Sequence, residues 1–137
     1  MRLLIIEKDD KWSNYVKNFI ESKGHKIEIV REPAKAKNLR KCSTFDLILC
    51  NFDALKGNFQ LISDLINQGI GSKVIIVSSM PNYRDAMLAR RYGAVDYIDK
   101  TYDLEELLGI ICEYNELLKN PGENIIKMLD DPIVKCQ

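Results

Sequence analysis

The sequence has one histidine, four scattered cysteines and no surplus of either charge, and each scarcity removes a class of function. The histidine, His25, follows Gly24 where a strand begins, so no nucleophile paired with a histidine base is expected. Cys42, Cys50, Cys112 and Cys136 stand too far apart for a metal knuckle or a redox pair. They are expected as reduced thiols acting as small hydrophobes, Cys50 ending an apolar strand and Cys112 on an apolar helix stripe. Lys+Arg and Asp+Glu number 20 each, which gives no general attraction to nucleic acid or to a membrane. The densest basic cluster, Lys35, Lys37, Arg40 and Lys41, has no interleaved aromatics and reads as a solvated helix face. No hydrophobic run is long enough to span a bilayer. The start lacks the basic region, apolar run and cleavage site of an export signal, so a cytoplasmic protein is expected.

What is present is a regular alternation. At 137 residues, 46% hydrophobic and 29% charged, the chain suits one globular domain with its own core. Five short runs rich in Ile, Leu and Val are expected as strands: residues 2 to 6, 26 to 30, 46 to 50, 73 to 77 and 96 to 98. Three of them, the first, third and fourth, are nearly continuous in hydrophobicity, as strands covered on both faces are. Between them lie helical patterns. Trp12, Tyr15, Val16, Phe19 and Ile20 keep the spacing of a buried stripe, ended by Gly24. Further helices are expected over about Pro33 to Lys41, around Ile62, Leu65 and Ile66, and over about Asn82 to Tyr92, with Gly69, Gly71 and Gly93 as punctuation. The last pattern has Leu104, Leu107, Leu108 and Ile111, and its Asp103 and Glu106 are spaced like a capping box. Strict alternation of strand and helix implies a parallel α/β sheet with right-handed crossovers and helices on both faces.

After Asn120-Pro121-Gly122 the last helix must stop. The sequence therefore divides into a domain over residues 1–119 and a tail over 120–137, in which Ile125, Ile126 and Leu129 are expected to form the apolar edge of a short extra helix.

In an open parallel sheet, ligands and reactions gather beyond the carboxyl ends of the strands. That rule collects Glu7, Lys8, Asp9 and Asp10 after the first strand, Asn51 and Asp53 after the third, Ser78 and Ser79 after the fourth, and Asp99 and Lys100 after the fifth. Four segments carry these residues in order: RLLIIEKDD, FDLILCN, VIIVSS and GAVDYIDK. Together they resemble the receiver domain of response regulators in two-component signalling, over residues 1 to about 119. The resemblance implies a CheY-like, flavodoxin-like fold with strand order 2-1-3-4-5. It also places a phosphoacceptor slot at Asn51, a switch hydroxyl at Ser78, a switch aromatic at Tyr97 and the family's lysine at Lys100.

The chemistry implied by the family is phosphoryl transfer to an aspartate, with a magnesium ion held by two more acidic residues. This chain departs at both places. Asn51 occupies the acceptor slot, and an amide is too poor a nucleophile to form an acyl phosphate. Lys8 stands where the second acidic residue would be and leaves Glu7 alone. Counting Glu7 against Lys8 and Lys100 gives a pocket of net charge plus one, a poor site for a cation that wants several oxygen ligands. Magnesium binding is therefore expected to be weak or absent, with Glu7, Asp9 and Asp53 as residual ligand candidates. Lys8 is expected to bridge Glu7 and the Asn51 amide near the vacated metal position.

Asp9 and Asp10 are expected as helix caps, Asp53 as an exposed loop residue, and Ser78 to bond backbone. A flavin reading of this fold would need a hydroxyl- and glycine-rich loop after the first strand, and EKDDKW is the opposite. The chain is thus read as a pseudo-receiver and not an enzyme: a phosphorylation-independent module that binds a protein partner, a histidine kinase or a signalling output protein. With no second domain in the sequence, its output is expected to be intermolecular. The contact face expected is helix four, strand five and helix five, with Tyr83, Arg84, Met87, Arg90, Arg91, Tyr97, Glu105, Glu106 and Glu113, and a homodimer through that face is a further expectation. The rival is a conventional phospho-switch in which Asn51 replaces a natural aspartate or a neighbouring carboxylate takes the phosphoryl group. Nucleic acid ranks last, for want of a basic or aromatic platform.

Overall fold

In the computed structural model, residues 1–39 and 44–119 are described, with side chains as far as residue 114. Arg40, Lys41, Cys42, Cys136 and the expected tail helix lie outside the described residues. The chain forms two compact units, Met1–Leu104 and the residues from Glu105 onward.

Five strands, β1 (Arg2–Ile6), β2 (Lys26–Val30), β3 (Leu47–Asn51), β4 (Val74–Ser78) and β5 (Asp96–Asp99), form one sheet in the order β2-β1-β3-β4-β5. All four pairings are parallel. The helices are α1 (Asp10–Glu21), α2 (Pro33–Leu39), α3 (Gln60–Asn67), α4 (Tyr83–Arg91) and α5 (Leu104–Lys119), and one turn of 3-10 helix, Phe52–Leu55, follows β3. This is the CheY-like flavodoxin fold.

The central strands are apolar throughout because both their faces are covered. On one face Leu4, Ile6, Ile48, Cys50, Val74 and Ile76 join Ala36 of α2, Ile62 and Leu65 of α3 and Ala89 of α4 in a single core. The alternate residues Leu3, Ile5, Leu47, Leu49, Ile75 and Val77 point the other way and are equally buried. Each fully buried Leu or Ile is worth roughly 1.5–3 kcal/mol, which makes this core the main term set against the entropy of ordering the chain. Gly71 is needed for space. A Cβ there would stand 2.7 Å from Ile48 Cδ1, where the chain bridges to Phe45.

One stripe differs from expectation. Tyr15 is 65% exposed, and α1 turns Ser13, Val16 and Ile20 inward instead. Ser13 can be buried because its hydroxyl donates to the Asp9 carbonyl at 3.0 Å. Taken by itself, α5 is amphipathic, with Leu107 and Ile111 buried one turn apart and Glu105, Glu106 and Glu113 exposed.

Candidate functional site

Register brings the polar residues to one edge. Ile6 pairs with Cys50 and Asn51 with Val77, so Glu7, Asn51 and Ser78 emerge side by side from β1, β3 and β4. Beyond β5, Lys100 donates its backbone N–H to the Ser78 carbonyl at 2.8 Å, which completes the edge.

Glu7 is the one carboxylate sunk into it, at 1% exposure. Its Oε1 accepts from Lys100 Nζ at 2.8 Å and from the Asp9 backbone N–H at 3.2 Å, while its buried Oε2 has no hydrogen-bond partner among the described residues. Lys100 Nζ also lies 3.9 Å from Asp9 Oδ2 and 5.1 Å from the centre of the Trp12 ring, a cation–π contact. The ammonium is thus surrounded by two carboxylates and an aromatic face.

Lys8 corrects the sequence reading. It does not bridge Glu7 and Asn51; it points outward, about half exposed, with Nζ 3.9 Å from Glu32 Oε1. The cause is the alternation of an extended chain, which sends neighbours at the end of β1 to opposite sides. The surplus positive charge expected for the pocket therefore disappears. What remains is Glu7 balanced by Lys100, with Asp9 at the rim.

The Asn51 amide oxygen caps the 3-10 turn by accepting the Asp53 N–H at 3.1 Å. Asp53 itself is exposed. Ser78, 3% exposed, accepts the Met80 N–H on its hydroxyl at 3.2 Å. Asp9 is the N-cap of α1, accepting from the Trp12 N–H, whereas Asp10 opens the helix and pairs with Arg31 at 2.7 Å. Hydrogen bonds from the Thr101 hydroxyl and N–H hold Asp99 below the usual carboxylate range, which commits that acid to its own turn. Burial, and secondarily the negative charge of Glu7, push the Cys50 thiol up to about 12. Among the described residues no three His, Cys, Asp or Glu side chains are grouped to hold a metal ion.

Magnesium, which the fold family implies, does not fit this donor set. A hard dication needs several oxygens. Among the described residues of this edge the one buried carboxylate, Glu7, already faces an ammonium, and the residue next to it is a cation directed elsewhere.

The expected contact face is divided. Tyr83 is 66% exposed, and Met87 and Arg91 are exposed beside it on α4. Tyr97 is not on the surface, since it is buried and packs edge-to-face on Phe52 with ring centres 6.1 Å apart, its hydroxyl without a hydrogen-bond partner among the described residues. Phe52 continues a row through Phe59 to Tyr92. Sequence reasoning missed this row; its signal was the aromatic residue directly after the acceptor slot. Arg90 is also withdrawn, paired with Asp96 at 3.4 Å. Glu106 is exposed on α5. No helix among the described residues is long and apolar enough to cross a membrane.

The family model of the response regulator receiver domain matches residues 3–112. Among curated proteins, the chain is 27% identical over 125 residues to the response regulator ArlR of Staphylococcus saprophyticus, covering 91% of this chain and 56% of that protein. It is 25% identical to the response regulator protein PmrA of Pseudomonas aeruginosa, covering 78% and 49%. The chain thus spans about half the length of the curated relatives it matches. Among solved structures, a two-component response regulator from Clostridium difficile superposes with a TM-score of 0.78 at 21% identity, over 86% of this chain and 98% of that one. An orphan response regulator of Helicobacter pylori gives 0.74 at 23%, over 83% and 95%. Sheet order, the residues gathered at its carboxyl edge and the span of the family match agree, and the chain belongs to the response regulator receiver domain family.

Proposed function

We propose that this receiver works without phosphorylation, as a pseudo-receiver that binds a protein partner. The observation that carries the reading is the Lys100 ammonium seated 2.8 Å from Glu7, with Lys8 turned out of the pocket and an amide at position 51. An aspartyl phosphate needs a carboxylate nucleophile and a cation to spread the developing charge. Position 51 offers an amide in place of that carboxylate, and the one ammonium in the pocket, Lys100, is already engaged by Glu7. The module has no catalytic turnover and no resident magnesium, and it works in the cytoplasm.

The partner is a histidine kinase or a signalling output protein, and the exposed Tyr83, Met87 and Arg91 on α4 are the surface offered to it. Aromatic, Met and Arg side chains are enriched at such interfaces. A second copy of the chain is an alternative occupant of that surface.

One observation favours the rival phospho-switch: the unpartnered Glu7 Oε2 would welcome a cation. The two readings separate in a titration with beryllium trifluoride and magnesium followed by Trp12, whose ring lies against Lys100. The pseudo-receiver gives no saturable change, and intact mass is unchanged after exposure to acetyl phosphate. A saturable signal together with a stoichiometric, base-labile gain of one phosphate would overturn the reading.

A further inference from the structure

A groove of about 380 Å³ opens between α2 and α3, separate from the Glu7 pocket but sharing the β1–α1 loop with it through Lys8. Its apolar lining is Ala54, Leu55, Leu61 and Leu65, buried or half-buried, with the exposed Ala34 at the α2 side. One wall is the stripe of α3 and its end that carries Leu61, Asp64, Leu65 and Gln68 at the i, i+3, i+4, i+7 spacing. The rim is mostly cationic: Lys8, Arg31, Lys37 and Lys56 against Glu32 and Asp64.

These cations are unequally engaged. Arg31 is held by Asp10 at 2.7 Å, and Lys8 reaches Glu32 only at 3.9 Å. Lys37 and Lys56 have no ion-pair partner among the described residues. Lys56 is also the one non-glycine residue among them with positive φ, at 50°, the cap that closes the 3-10 turn by donating its N–H to the Asp53 carbonyl at 3.2 Å. Four separate segments thus bring positive charge to the mouth of one apolar recess.

We propose that this groove binds a small amphiphilic anion, a compact apolar body carrying one carboxylate or phosphate. The apolar part lies on the leucine and alanine floor, and the head takes charge-assisted hydrogen bonds from Lys37 and Lys56, with Lys8 behind them. The volume falls within the range of small-molecule sites, about 300–1,000 Å³. A partner helix, about 10 Å across with its side chains, would overfill it. Lys8, which deprives the neighbouring pocket of its second acid, gains a use here.

The test is an amide chemical-shift titration of the full chain with octanoate, against octylamine and acetate as controls. Octanoate gives saturable shifts at Ala34, Leu61 and Leu65, while octylamine and acetate do not. The exposed double substitution K37E/K56E weakens octanoate by about tenfold, the loss of charge-assisted contacts. Ala34→Phe, which fills the recess, abolishes binding with the fold intact by far-ultraviolet circular dichroism. The proposal fails if octylamine binds equally, if the shifts lie elsewhere, if both variants bind like the parent, or if no octanoate response occurs. Shifts at these residues from an acidic hexapeptide but not from octanoate would also overturn it, since the groove would then be a peptide site.

Discussion

The carboxyl edge of this sheet carries two recesses that handle charge in opposite ways. In the first, Glu7 and Lys100 are almost removed from water and neutralise each other at 2.8 Å. In the second, between α2 and α3, the charges stand at the rim, half or fully exposed, and face outward over an apolar floor. Desolvation explains the contrast. A buried charge must find its partner within the fold. An exposed lysine is solvated by water and remains free for a ligand. Adjacent residues, Glu7 and Lys8, fall on the two sides of this divide.

Breaking the first recess should cost the most. Lys100→Met leaves the Glu7 carboxylate buried without its counter-ion and is expected to lower the unfolding free energy by about 3–5 kcal/mol in urea denaturation. A loss under about 1 kcal/mol would mean that water already reaches Glu7, and the contrast would collapse. Cys50 gives a second measure of the same dryness. Its folded pKa of about 12 lies above the ordinary value of 9.0, so the fold favours the neutral thiol. That contribution is complete below pH 9 and is lost as pH rises from 9 toward 12, because the unfolded chain releases the proton first. Stability of the parent should fall across that window more steeply than that of Cys50→Ala, and parallel curves would deny the burial. The smallest effect belongs to the second recess. Lys8→Gln removes a half-exposed pair at 3.9 Å and should change stability by no more than about 0.5 kcal/mol. A larger loss would make Lys8 structural after all.

The sheet was legible because continuous apolar runs such as LILC and VIIV can be satisfied only between two layers of helix. Strand ends fell within one residue of the expected positions. The stripe of α1 was shifted, because an exposed Tyr15 and a buried Ser13 both contradict hydrophobicity, and Ser13 owes its burial to a hydrogen bond that no pattern announces. In the site, residue identities were readable but not directions. Lys8 chooses Glu32, 24 positions away, and only the fold brings that acid near, although strict alternation after β1 already argued against Lys8 and Glu7 sharing a side. Tyr97 likewise reads as a surface aromatic until Phe52 is seen against its ring.

One of the two outer strands has a consequence of its own. Among the described residues β2 pairs only with β1, which leaves a row of backbone donors and acceptors on its far side. Lys26 and Glu28 are both exposed along it. Any sixth strand zipping onto that margin would have to settle against fixed charges, so this margin carries its own guard against fibril-like growth.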